Sequence, residues 1–97
     1  MGLKRIATVL TGAGTANATT SSTTVVAADD NRNELIITND SDTVVYLGLT
    51  DAAVLHKGIR LNANGGEFHT SGPRVYQGLV TAIHGGTGNK VLCYVQF

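Results

Sequence analysis

Three histidines are the side chains in this sequence best suited to bind a transition metal: His56, His69 and His84. Zinc sites draw on closely spaced pairs of histidines or cysteines, because one strand or helix can then present two ligands to the same ion. None of the three lies two or four residues from another histidine or cysteine. We therefore predict no metal site and expect these histidines at loops or strand edges, in contact with water.

The stretch Asn-Asp-Ser-Asp at residues 39–42 offers oxygen ligands of the kind that calcium prefers, and Asp29 and Asp30 could add to them. A calcium loop of the EF-hand type also requires a fixed ligand spacing that ends in a glutamate, which is missing here. Asn, Asp and Ser favour tight turns, since their side chains hydrogen-bond to nearby backbone. The sequence thus predicts a turn and no calcium site.

Two glycine-rich stretches, residues 12–14 and 85–90, share with phosphate-binding loops only their composition. Neither precedes a helical pattern, and Val91 stands where a Walker loop requires serine or threonine. We interpret the first stretch as a linker and the second as a connection between strands.

Nucleophilic catalysis has no candidate residue in the chain. Cys93, the single cysteine, lies in an apolar run and is predicted to be a buried, unreactive thiol that forms no internal disulfide. No Gly-x-Ser-x-Gly nucleophile motif occurs. We expect a protein with no catalytic and no cofactor-binding residue, one that is not an enzyme.

Short β-branched segments separated by turn residues predict an all-β fold. Residues 34–38 and 43–47 flank the turn at 39–42 and are predicted to form a hairpin. Residues 75–84 and 90–97 are predicted to form a second hairpin. Between the two, we expect one short helical turn at residues 50–58, with Asp51 at its start and Gly58 in the left-handed conformation at its end.

The N-terminal part of the chain differs in composition from the rest. Residues 12–24 are almost entirely Gly, Ala, Thr, Ser and Asn, which supply little apolar surface. We predict an extended N-terminal arm with edge strands at residues 1–28. A single β-sandwich domain, jelly-roll-like, is predicted for residues 29–97.

Composition limits the partners that this chain can bind. Of its 97 residues, 42% are hydrophobic and 14% charged, and seven basic residues balance seven acidic ones. A chain without net charge has no field to attract nucleic acid or an anionic membrane. No apolar run reaches the roughly 20 residues that span a bilayer, and residues 6–10 are too short for a signal peptide. We expect neither direct nucleic-acid binding nor membrane association.

Both faces of several predicted strands are apolar. In the last strand, one face carries Val91, Cys93, Val95 and Phe97, and the other carries Leu92 and Tyr94. An isolated sandwich needs only one apolar face per strand, so the second faces require a cover. The arm or a neighbouring subunit is expected to supply it, which predicts a homo-oligomer.

Several segments resemble small β-sandwich modules of tailed-bacteriophage virion proteins. The resemblance lies in residues 35–48, which read LIITNDSDTVVYLG, and in residues 58–61, 65–68, 80–83 and 91–93. It implies a capsid decoration (cement) protein that binds and stabilises major capsid subunits as a homo-oligomer, a trimer. The expected location is the capsid surface of the virion, after synthesis in the host cytoplasm.

Six residues are predicted to contact other subunits. They are Leu3, Ile6 and Val9 in the arm and the larger side chains Tyr46, Tyr94 and Phe97. An alternative is a tail- or fibre-associated module that binds a receptor or glycan through Tyr46, Tyr76 and polar loop groups. The absence of tryptophan weighs against that alternative.

Overall fold

The computed structural model of the protein describes residues 12–97, and in this range the regular secondary structure consists of short strands and one 3-10 helix. The strands are β1 (Gly12–Ala18), β2 (Thr23–Val26), β3 (Glu34–Asn39), β4 (Val45–Leu49), β5 (Ile59–Leu61), β6 (Glu67–Ser71), β7 (Val80–Ile83) and β8 (Lys90–Gln96). A three-residue 3-10 helix, Gly72–Arg74, precedes β7. The predicted all-β class is confirmed.

The eight strands form two four-stranded sheets. Sheet A has the order β1-β8-β3-β6 and sheet B the order β2-β7-β4-β5, and all neighbouring strands are antiparallel. Successive strands lie in different sheets, except β4 and β5. Two antiparallel sheets wound in this order are the arrangement of a jelly roll, so the predicted jelly-roll-like sandwich is confirmed.

The core lies between the two sheets and takes side chains from both. Leu35, Ile37 and Leu92 from sheet A meet Leu47 and Val80 from sheet B, and all five are at most 1% exposed. Full burial of a side chain of this size contributes about 1.5–3 kcal/mol relative to leaving it in water. Alternate residues of each strand therefore point inward, and the remainder form the outer faces of the sandwich.

The predicted hairpin of residues 34–38 and 43–47 is wrong, because β3 lies in sheet A and β4 in sheet B. The buried side chain of Asn39 holds the turn that joins them. Its Nδ2 donates to the carbonyls of Thr43 at 2.8 Å and Leu61 at 3.1 Å. Its Oδ1 accepts from the backbone N–H and the hydroxyl of Ser41. The turn thus carries the chain from one sheet to the other.

The second predicted hairpin, residues 75–84 with 90–97, is also wrong, since β7 belongs to sheet B and β8 to sheet A. His84, fully buried, organises this connection. Its Nδ1 accepts from the Gly86 N–H at 3.0 Å, and its Nε2 bonds the Gly88 carbonyl at 2.7 Å. Gly88 has a φ of 72°, which glycine adopts without steric cost. Expecting this histidine in water was therefore an error.

The described part of the predicted arm belongs to the sandwich. β1 pairs with β8 along its whole length, and β2 pairs with β7. Each is the edge strand of its sheet, so residues 12–26 do supply edge strands, but to this chain's own sheets. Leu3, Ile6 and Val9, the three arm residues predicted to contact other subunits, lie outside the described residues.

A loop takes the place of the short helical turn predicted at residues 50–58. Thr50, His56 and Gly58 adopt φ values of 78°, 65° and 80°, which interrupt any helical path. Gly58 thus has the left-handed conformation expected of it, although no helix ends there.

Arg32 closes one end of the sandwich from a fully buried position. Its guanidinium donates to the carbonyls of Ala27, Tyr76 and Gly78 and to Gln96 Oε1. Burial lowers the pKa of this group below its ordinary value, and the nearby carboxylate of Asp29 partly offsets the effect. One side chain therefore ties β8 of sheet A to the loops that follow β2 and β6.

Candidate interaction surface

The two outer faces of the sandwich differ, because a loop of the chain itself covers the outer face of sheet B at β4 and β7, while Val54 and Leu55 of that loop are 50% and 36% exposed. The loop at residues 50–57 lies on this face, and Ala53 within it is only 5% exposed. Thr81 of β7 donates from its hydroxyl to the carbonyls of Gly48 and Asp51. The Ala53 N–H donates to Ser22 Oγ at 2.8 Å. Hydrogen bonds with Thr81 of β7 and with Ser22, which immediately precedes β2, thus hold the loop in place.

Tyr46 anchors the same loop. Its hydroxyl and His56 Nδ1 are 3.0 Å apart, and the two rings meet edge to face with centroids 5.1 Å apart. This geometry is favourable for aromatic pairs. Tyr46, one of the side chains predicted to contact other subunits, therefore contacts a loop of its own chain.

The outer face of sheet A carries an apolar row that no described residue buries. Along β8, this row consists of Val91, Cys93, Val95 and, at the strand end, Phe97. Val91 and Phe97 are each 37% exposed. The alternation predicted from sequence is confirmed here, since Leu92 on the opposite face is completely buried. Cys93, expected to be buried, is half-buried on this outer face.

The apolar row extends sideways across the sheet. Val95 pairs with Ile36 on β3 and with Ala13 on β1. A shallow depression of about 170 Å³ lies on this face, lined by Ile36, Thr38, Cys93, Tyr94 and Val95. We call the outer side chains of β1, β8 and β3 together with Phe97 the sheet-A face.

Charged groups border the sheet-A face. On one side, His69 Nε2 and Glu34 Oε2 are 2.7 Å apart. At the end where β8 begins, Lys90 Nζ is 3.2 Å from Asp42 Oδ1. A hydrogen bond from the Thr43 hydroxyl holds the pKa of Asp42 below its usual value. A hydrogen bond from Lys90 and the positive charge of that side chain add to the effect. An apolar centre with a charged rim is the common anatomy of a protein–protein interface.

The remaining predicted contact residues lie in different places. Phe97 belongs to the sheet-A face, whereas Tyr94 points inward and packs against the core. Its hydroxyl lies 2.8 Å from where a Cβ of Gly14 would stand, so its ring covers that glycine. Sequence reasoning placed Val91 and Val95 on the correct strand face but did not select them, or Ile36, as contact residues. Their alternation was the signal that could have identified them.

The glycan-binding alternative relied on Tyr46 and Tyr76. The Tyr76 hydroxyl donates to the Leu79 carbonyl at 2.6 Å and also contacts Thr50 Oγ1 at 3.2 Å. The hydroxyls of both tyrosines are thus already hydrogen-bonded within the chain. A ligand would have to compete with these bonds.

Metal-binding side chains are dispersed in the part of the chain that the structure describes. Among residues 12–97, no group of three or more His, Cys, Asp or Glu side chains is close enough to hold an ion. The same residues contain no helix long and apolar enough to cross a membrane.

Known proteins give no further guide to the site. No protein-family model, no curated protein and no solved structure matches this chain.

Proposed function

We propose that this chain is a structural protein of a bacteriophage virion, a capsid decoration protein that binds and stabilises the major capsid subunits. The single observation that carries the proposal is the sheet-A face, an apolar surface with a charged rim on a sandwich whose other outer face is partly covered by a loop of the chain. The resemblance described above and the jelly-roll strand order support it. By analogy of fold, jelly rolls occur in viral capsid domains.

The sheet-A face is suited to hold neighbouring subunits together because it is formed in advance. Its side chains project from paired strands, so little conformational entropy is lost when a partner binds. A decoration protein of several copies can also combine weak contacts into tight attachment. The resemblance implies three copies, and that number stays a prediction.

The net charge of the chain indicates what kind of partner to expect. The chain has no net charge, so binding should depend on apolar contact and shape more than on long-range attraction. The expected partner is a protein surface with an apolar patch of its own, which a junction between capsid subunits can offer. Binding should therefore persist at high salt.

Cosedimentation with capsids that lack this chain tests the proposal. The Val91→Lys variant places a charge in the apolar row and should lose binding. Thr24→Lys adds the same charge to an exposed position of β2 in sheet B and should bind like the unmodified chain. Circular dichroism of both variants checks that the fold is intact.

Two results would contradict the proposal. One is equal capsid binding by the Val91→Lys and Thr24→Lys variants, because the sheet-A face would then have no part in attachment. The other is an absence of capsid binding together with specific binding to a glycan, which would favour the receptor-binding alternative.

A further inference from the structure

The edge strand β1 has a free edge of unusual length. It pairs with β8 at seven consecutive positions, from Gly12 opposite Gln96 to Ala18 opposite Lys90, without a shift in register. No other described strand lies beside its second edge. The backbone N–H and C=O groups on that edge can accept a further strand.

The other edges of the described sheets carry the protections that natural sheets use. β5 has three residues, and β2 has four with a register shift between Thr24 and Val26. β6 is longer but presents Glu67 and His69. Short length, bulges and charges all discourage pairing between edges. β1 has none of them: its sequence, GAGTANA, contains no charge and no proline.

We infer that β1 binds β1 of a second copy of this chain. The two strands would run antiparallel across a two-fold axis near Thr15 and join both A sheets into one sheet of eight strands. This symmetry places Gly14 opposite Ala16, Ala13 opposite Asn17, and Thr15 opposite its own equivalent. Every pair is small and uncharged, and opposed threonines are a favourable cross-strand pair.

The self-pairing has two consequences. The sheet-A faces of both copies become continuous, which gives a partner two adjacent binding surfaces. A two-fold contact also closes at two copies, so it differs from the trimer that the resemblance implies. The inference does not rest on the proposed function, since it concerns the purified chain without capsids.

Sedimentation velocity on the full chain tests the inference. A contact made mainly by one strand is small, so the dimer should be weak and its fraction should rise with concentration between about 10 µM and 1 mM. Thr15→Lys and Thr15→Glu each place like charges opposite one another and should weaken association by at least about tenfold. Thr15 is exposed, so both variants should remain folded.

Mixing the two variants provides the decisive comparison. Lys and Glu then face each other across the axis, and association should return in the mixture alone. Ser71→Lys, on the opposite edge of the same sheet, is the matched control and should dimerise like the unmodified chain.

A chain that stays monomeric over the whole concentration range would overturn the inference. So would Thr15→Lys and Thr15→Glu variants that associate as well as the unmodified chain. If dimerisation is lost in each single variant and returns in their mixture, the inference is supported. If capsid binding is absent throughout the same experiments, only the proposed function is contradicted.

Discussion

The Cα of Ala53 lies 3.0 Å from the point where a Cβ of residue 48 would stand, and Gly48 occupies that position. The Asp51 carbonyl oxygen is 2.9 Å from the same point, and Thr81 Oγ1, the nearest atom, is 2.6 Å from it. The first two are backbone atoms that cannot rotate away. The close approach of the covering loop to sheet B therefore depends on the absence of a side chain at residue 48.

Gly48→Ala should destabilise the fold by about 1–3 kcal/mol, the usual cost of overpacking. The loop must lift from sheet B to accommodate the methyl group, and its amides should then exchange faster with solvent. Urea denaturation and hydrogen exchange measure the two effects. Gly12→Ala is the control, because a Cβ there meets no atom within 4 Å. Equal stability of both variants would contradict the proposed packing of the loop.

Asn39→Ala should destabilise the protein by about 3 kcal/mol. The substitution removes the amide donor from the carbonyls of Thr43 and Leu61, of which Thr43 keeps the Ser41 hydroxyl as a donor, and an unsatisfied buried polar group costs about 1–3 kcal/mol. Asn33→Ala removes an exposed amide with one long hydrogen bond of 3.4 Å and should change stability by less than about 0.5 kcal/mol. Chemical denaturation of the two variants gives the comparison, and similar midpoints would argue against a structural role for Asn39.

Arg32→Lys should be strongly destabilising although it keeps the charge. Lysine has three donors on one nitrogen and cannot reproduce the planar fork that reaches the carbonyls of Ala27, Tyr76 and Gly78. Breaking a buried charged network costs about 3–5 kcal/mol. Arg60→Lys, at an exposed position of β5, is the matched control. A small and equal decrease in melting temperature for the two variants would contradict the structural role of the Arg32 guanidinium.

Asp42 should make stability depend on pH in the acid range. Its pKa in the folded protein is lowered, first by the hydrogen bond from Thr43 and then by Lys90. Its contribution is therefore complete above the ordinary aspartate pKa of about 3.9 and is lost as the pH falls through the lowered value. Asp42→Asn should lack this component, which thermal melts of both proteins between pH 2 and 6, roughly the range of carboxylate titration, can measure. The component should be small because the group is exposed to solvent. Identical pH profiles for the two proteins would contradict the prediction.

Most of the strands could be predicted because their signal is local. The alternation of Leu35, Ile36 and Ile37 and that of residues 91–97 identify strands and assign their faces without reference to the rest of the chain. For the same reason, the part of the sheet-A face that lies on β8 could be predicted from the sequence. Phe97 was selected from it, whereas Val91 and Val95 were recognised only as members of one face.

The connections between strands could not be predicted in the same way. The turn at residues 39–42 contains the residues expected of a hairpin, yet it crosses between sheets because the amide of Asn39 also bonds Leu61, 22 residues away in the sequence. His84 acts similarly in the second crossing. Turn-forming residues specify a change of chain direction, but they do not specify which sheet the next strand will join.

The sequence by itself determined the β class, the positions of most strands and the two apolar faces of β8, because the side-chain period of a strand is a local property. Only the tertiary structure decided which outer face is covered. Both sheets have apolar or small residues on their outer sides, and sheet B is covered because the loop at residues 50–57 reaches Gly48, Thr81 and Ser22. The contacts with Ser22 and Thr81 join residues that are about 30 positions apart in the chain. Such contacts form only once the sheets have assembled, and among the described residues no comparable loop covers the outer face of sheet A.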